Sequence, residues 1–515
     1  MKKLNKKKDE GLRSGVFYNK LSSLFRLFVY ILPGVLFFSY YPLMHFGANE
    51  SMNFELSLPI IWLILFDILG FLLILRRKRF FCGFKKWWAW LLFPIYLTIS
   101  VLWSLNSVRG VLVAGVMWLI CFAIYIIYSL RNLFSEKDWG KFWKWFLWSA
   151  LLACGWCFVQ CVLDLMGTPQ DYTLLCDGCT YRMFGFPHPN GFAIEPQFMG
   201  NLLLAPAIIS IWMYVKKIKN NSGSGFLCSG FLLVCFFIFT ATLFLTFSRG
   251  AIYAFIVAMI FMTAYLLAGE KKIAKRMLTV WGLIVGAFLL TLNVQGIMAQ
   301  VSPTNDTYGS GVAKVLNHLS LGVIDIRGEE MRGEVDGGSG EVDIVRLDMT
   351  RGGAEDGGID VVENYVENSR DEKGESVFDG YVVESTETRL RLSSAAIEVW
   401  RQNFATILFG TGLGGAGQAL YNDGLSPAPK EIIQNQYVSL LLETGLVGVS
   451  LLLLVLVMAI RLMWKIKGRI IILSLMVAYG ISLCFFSGLP NALHIYLLPV
   501  LLIVFLDKRS LKEGN

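Results

Sequence analysis

The chain is short of charge. Of its 515 residues only 16% are Asp, Glu, Lys or Arg, where a soluble protein carries about 25%. An ordinary soluble enzyme and a wholly disordered chain are both excluded. Histidine is scarcer still, with His45, His188, His318 and His494 alone. No two of them stand at the i, i+4 spacing of a helical metal site, which argues against zinc. Ten cysteines are too few for a disulfide framework, and most lie inside apolar runs. Small residues of a signal-peptidase site are missing after the basic head, so no cleavable leader is expected.

What is present is apolar. Hydrophobic residues make up 55% of the chain, in runs of roughly 20 residues, the length that crosses a bilayer core. Twelve spans are expected, at 27–46, 57–75, 88–106, 111–130, 145–166, 192–215, 227–247, 250–268, 277–295, 436–460, 470–487 and 491–507. The net charge of +8 follows these runs and does not imply nucleic acid. Of the 46 Lys and Arg, 32 fall in alternate gaps and in the two ends, which the positive-inside rule places in the cytoplasm. The short opposite gaps hold almost none, with Arg109, Arg182 and Arg249 alone in theirs, and the remaining eleven lie between 296 and 435.

The expected fold is therefore an all-α polytopic membrane protein with about 12 transmembrane helices and both termini cytoplasmic. Its parts are a basic head (1–26), spans one to nine (27–295) with an outer re-entry loop at 167–191, a large extracytoplasmic loop (296–435), the last three spans (436–507) and a basic tail (508–515). Residues 325–380 are acidic, Gly-rich and poor in aromatics, a composition that predicts disorder. The flanking stretches 311–321 and 386–404 have the apolar spacing of helices.

Arginine is costly at membrane depth, so an outer arginine beside a span is a candidate functional group. Arg249 stands in Ser248-Arg249-Gly250, where two spans meet. It either snorkels at a tight turn or presents a planar fork to phosphate oxygens. Arg182 opens a turn-rich segment holding His188 and Asn190, followed by Glu195, which either pairs with an arginine or lines a wet cavity. Arg389 and Arg391 precede a helical pattern, then a run containing Gly410, Gly412, Gly414, Gly415 and Gly417. Such a turn can bring backbone close to a ligand, although it lacks the Lys-Ser/Thr of a P-loop. Beyond it lie Asn435, Tyr437 and Glu443, the last free to cap or pair structurally. Cys176 and Cys179 are spaced for a local disulfide. Asp67 lies mid-span, as an ion relay or a pairing group.

Three patches in order resemble the O-antigen ligase and O-antigen polymerase superfamily of bacterial membrane glycosyltransferases. The first is Arg182, Gly185, Pro189-Asn190 and Glu195-Pro196. The second is Ser248-Arg249-Gly250. The third is Arg389, Gly410, Gly412, Asn435, Tyr437, Glu443, Gly445 and Gly448. Where ligases commonly carry histidine before that asparagine, this chain has Gln434, a departure that leans away from a typical lipopolysaccharide ligase.

The resemblance implies the C-type membrane glycosyltransferase architecture in a bacterial cytoplasmic membrane, with the active site facing outward. It implies a donor glycan on a polyprenyl diphosphate, and a glycan, lipid or protein acceptor. Arg182, Arg249, Arg389 and Arg391 would then offset the diphosphate charge, with Asn190, Asn435, Tyr437, Gly410 and Gly412 around the substrate. Glu195, Glu443 or His318 would activate the acceptor hydroxyl, and neither metal nor cofactor is expected. The alternative is a transporter or flippase of a lipid-linked glycan. Against it, polar residues gather at the outer ends of spans, and mid-span charge is nearly confined to Asp67.

Overall fold

The structure, a computed structural model, describes residues 2–38, 42–46, 54–76, 84–166, 189–193, 195–219, 229–269, 274–301, 308–320, 377–426, 428–429, 431–464, 466, 468–487 and 492–510. Arg182, His188, Cys176 and Cys179 lie outside them, as does most of the stretch 325–380, of which only the end from Val377 is described.

In a bilayer every backbone N–H and C=O must find its partner within the protein, so apolar runs of this length fold as helices. They do so here as α1 (Lys2–Phe37), α2 (Leu58–Arg76), α3 (Phe84–Ser100), α4 (Ser107–Leu130), α5 (Glu136–Leu165), α6 (Pro196–Lys219), α7 (Ser229–Leu245), α8 (Arg249–Gly269) and α9 (Ala274–Val301). After the shorter α10 (Tyr308–Leu319) come α11 (Val377–Arg401), α12 (Phe404–Phe409), α13 (Ala416–Asn422), α14 (Gln436–Trp464), α15 (Ile470–Ser482) and α16 (Leu493–Ser510). Asn106 caps α4 by accepting the Arg109 N–H at 3.1 Å, and Asn403 caps α12 by accepting that of Thr406 at 2.8 Å. Pro196 opens α6, where the missing N–H does no harm.

Among the described residues eight helices are long and apolar enough to cross a membrane, and the other four expected spans form apolar helices of 10–17 residues. The first span is corrected. Its helix ends at Phe37, and Pro42–Phe46 instead pairs antiparallel with Phe54–Ser57 as the strands β1 and β2. The fold is helical, as expected, and among the described residues the β1–β2 pair is a small addition to it. The acidic stretch is corrected at its end, since Val377 already begins α11.

Contacts divide the chain into two compact units. One comprises Met1–Met183, Pro187–Thr291 and Arg389–Asn515, and the other Phe184–Phe186 and Leu292–Thr388. In the first, α6 is the central helix, with 89% of its apolar window buried, while α14 has 11%. Helix α6 packs on α7, α8 and α15, α15 also packs on α8, and α14 lies against α3. Side chains such as Trp145, Leu152 and Leu278 are exposed, as lipid-facing residues must be. In the second unit α10 packs on the end of α9, where a side chain at Gly311 would meet the Ala299 Cβ at 2.8 Å.

Candidate functional site

The link between α7 and α8 is as short as the sequence suggested. Phe247 takes a positive φ of 49°, rare for a bulky residue, and Arg249 already opens α8 with 8% of its surface exposed. A Cβ on Gly250 would stand 2.6 Å from that of Phe485, and one on Gly200 of α6 would meet Ser248 and Ala251 at 3.0 and 2.9 Å. Small residues are therefore what lets three helix ends close on the arginine. Tyr253, one turn along α8, lies in the field of its guanidinium and packs on Phe485, with ring centres 6.1 Å apart.

The turn after α15 ties these ends together. Gln197 Nε2, in the first turn of α6, donates to the Phe485 carbonyl. Ser482 and Asn201 are hydrogen-bonded through their side chains. The Gln436 N–H donates to the Leu483 carbonyl at 2.9 Å, and the Tyr437 hydroxyl to the Gly480 carbonyl at 2.7 Å. The amino-terminal ends of α6, α8 and α14 thus gather around Ser482–Phe485, each the positive end of its helix dipole. Asn435 caps α14, its side-chain oxygen accepting from Tyr437 and Val438 N–H at 3.1 and 3.2 Å.

Asn190 is almost wholly buried, at 1% exposure. Its side chain accepts from Gln160 Nε2 at 2.8 Å and donates to the Ala193 carbonyl at 2.9 Å. Gln160 also accepts the Gly191 N–H at 2.9 Å. This latch to α5 sets the turn that delivers Glu195 to the mouth of α6, where its carbonyl accepts the Met199 N–H. The Glu195 carboxyl is half-buried. Loss of water raises its pKa above the usual carboxylate range, and the nearby Arg389 guanidinium pulls the other way.

Arg389 is carried by α11, whose Leu392, Ala395, Ala396 and Val399 pack against Ala416, Ala419, Leu420, Ile433 and Leu442. Arg391, on the same helix, is exposed. That core rests on the glycine loop. Gly410, Gly412 and Gly414 have φ of 73°, 86° and 79°, a left-handed conformation that only glycine adopts freely. Their amides turn inward: Gly410 N–H to Thr406, Gly412 N–H to the Glu443 carbonyl, and the Gly414 and Ala416 amides to the Glu443 carboxylate. The charge of Arg109, in the first turn of α4, acts on the same carboxylate.

The Glu-x-Gly spacing follows from this. Glu443 holds the loop, and Gly445 (φ 62°) breaks α14 where a Cβ would stand 2.4 Å from the Leu408 carbonyl carbon. Tyr96 donates to the freed Thr444 carbonyl at 2.7 Å.

The site thus brings together Glu195 and Arg389, and sets Arg249, Asn435 and Tyr437 at neighbouring helix ends joined through Ser482–Phe485. Glu443 lies beneath the glycine loop, held by Arg109. His318 belongs to the other unit, buried in α10. Among the described residues no group of three or more His, Cys, Asp or Glu could hold a metal ion. Sequence reasoning missed Gln197 and Asn201 as parts of this frame, although two polar residues four apart in a span's first turns were a legible signal. It noted Arg109 only as a sparse outer charge, and nothing singled out Phe485.

Residues 231–453 match the family model described as O-antigen ligase. The resemblance to the O-antigen ligase and polymerase superfamily therefore holds for that stretch, and it supports a role in processing cell-surface glycans. The match takes in Ser248-Arg249-Gly250 and everything from Arg389 to Gly448. Asn190 and Glu195 lie before it and join it through the folded structure. No curated protein matches the chain.

Proposed function

We propose that the protein is a glycosyltransferase of the bacterial cytoplasmic membrane, acting at the outer face on a glycan carried by a polyprenyl diphosphate. Breaking the sugar–diphosphate bond leaves an anion, and fixed positive charge aimed at it supplies the main stabilisation. Arg249 and Arg389 provide that charge, aided by the gathered helix amino termini. Glu195 is the general base: desolvation raises its pKa and makes its carboxylate a better proton acceptor, with the Arg389 guanidinium acting in the opposite direction. It takes the proton of an acceptor hydroxyl, whose oxygen attacks the anomeric carbon opposite the departing diphosphate and inverts it. Glu443 keeps a framing role, because its carboxylate is engaged by Gly414, Ala416 and Arg109.

The observation carrying this reading is the Glu195–Arg389 pair, a partly desolvated carboxyl in the field of a guanidinium that lies within the matched stretch. The test is mass spectrometry of glycans after mixing the purified protein in lipid with a polyprenyl-diphosphate oligosaccharide, with and without an acceptor. Longer glycans still on the diphosphate identify a polymerase. Glycan moved to another acceptor identifies a ligase. An untouched donor under both conditions overturns the reading in favour of transport.

A further inference from the structure

A cleft of about 230 Å³ opens beside the glycine loop, with none of Arg249, Arg389 or Arg391 among its described lining residues. Trp103, Gln402, Thr406, Thr411, Asn422 and Asp423 line it, together with Leu105, Val399 and Ala419. Its walls combine one aromatic face with amides, hydroxyls and a carboxylate, and no Lys or Arg is among these described lining residues.

Each wall is fixed in place. Trp103, 38% exposed, meets Phe409 edge-on and Tyr96 at a tilt, both with ring centres 6.3 Å away. The Leu105 N–H donates to the Thr411 carbonyl, and the Thr411 hydroxyl to that of Leu442 at 3.2 Å. Gln402 donates to Asp423, and Gln418 holds the Asn422 amide at 2.8 Å. A rigid aromatic with a few placed polar groups is what a small-molecule site needs.

The chemistry selects the ligand. A diphosphate would meet a carboxylate and, among these described lining residues, no cation, and a polyprenyl tail would leave the amides and the carboxylate without water. An uncharged sugar ring suits both halves, its C–H face against the negative face of the indole and its hydroxyls against groups that donate and accept. Val399 lies ten residues beyond Arg389 on α11, which at the helical rise is about 15 Å. The cleft is therefore a few sugar units away from the diphosphate. Resting on the glycosyltransferase reading above, we propose that it is a remote glycan subsite, holding an uncharged sugar of the saccharide and passing its binding energy to the reacting end.

Two measurements test this. Saturation-transfer NMR on the full chain in lipid nanodiscs would use the free repeat-unit oligosaccharide, released by mild acid from the host's own polyprenyl-diphosphate pool. Wild type should give ring-proton transfer, Trp103→Ala and Asp423→Asn should lose it, and Trp103→Phe should keep most of it. In transfer assays, the ratio of kcat/KM for the oligosaccharide donor over a single-sugar donor should fall about tenfold in Trp103→Ala. Undiminished transfer signals in both Trp103→Ala and Asp423→Asn, or an unchanged kcat/KM ratio, would overturn the subsite. Trp103-dependent binding in a protein that turns over no donor would retain the subsite and remove the glycosyltransferase reading.

Discussion

Arg389, within the stretch that matches the O-antigen ligase family, acts electrostatically on Glu195, which precedes that stretch. The pair makes the pH dependence of the reaction a direct readout. Burial raises the Glu195 pKa, so with Glu195 as the proposed base, activity should be lost as pH falls through that raised value. Arg389→Ala removes the opposing charge, so the acid limb of the kcat/KM profile should move to higher pH, on top of any loss of donor binding. An acid limb that stays where it was would place the base elsewhere.

Glu195→Gln keeps the shape of the side chain and removes the proton acceptor. Turnover should drop by about 100- to 10,000-fold, the usual contribution of a positioned base, with the protein still folded. Glu195→Asp should recover part of the rate. Near-normal turnover in Glu195→Gln would remove it from catalysis.

Arg249→Ala should abolish transfer while leaving the protein in the membrane, measured as glycan products against protein level in isolated membranes. Arg249→Lys should fare little better, because an ammonium is a point charge without the planar fork that holds two phosphate oxygens. Normal products from either variant would sink the diphosphate role.

Gly445→Ala forces a Cβ to within 2.4 Å of the Leu408 carbonyl carbon at a φ of 62°. It should destabilise the protein by about 1–3 kcal/mol, seen as a lower Tm in detergent. Gly115 of α4 is the internal control, since nothing lies within 4 Å of a Cβ there. Gly115→Ala should be neutral or stabilise by up to about 1 kcal/mol.

Arg109→Ala and Glu443→Gln act on one interaction. Their effects on Tm should not add, and a double-mutant cycle should return a coupling of about 0.5–3 kcal/mol. Simple additivity would show that the two groups are independent.

Much of this architecture was legible because the bilayer imposes a coarse rule on sequence: long apolar runs and sparse, sided charge. The Arg249 junction stood out for the same reason. The hairpin did not, because Pro42–Phe46 continues an apolar run and a two-residue alternation is too short to announce itself there. Asn190 and Asn435 could be read for chemistry but not for partners, and the structure gives them a latch and a cap. The Arg109–Glu443 and Glu195–Arg389 pairs join residues hundreds of positions or nearly so apart, and contacts of that kind leave no local period to read. The helices at 311–321 and 386–404 did leave one, and α10 and α11 form there.

The glycines of the loop, and Gly445 of α14, meet backbone rather than side chains: Gly410 at Glu443, Gly412 at Ser104, Gly414 at Gly110, and Gly445 at Leu408. A seam of main chain cannot be retuned by exchanging side chains. A chimera that imports the glycine loop of a relative would have to import Ser104–Gly110 and Glu443–Gly448 with it, as three pieces that travel together. The side chains around the cleft carry no such obligation, so one frame can be refitted to a different saccharide by changing Trp103, Gln402 or Asp423 alone.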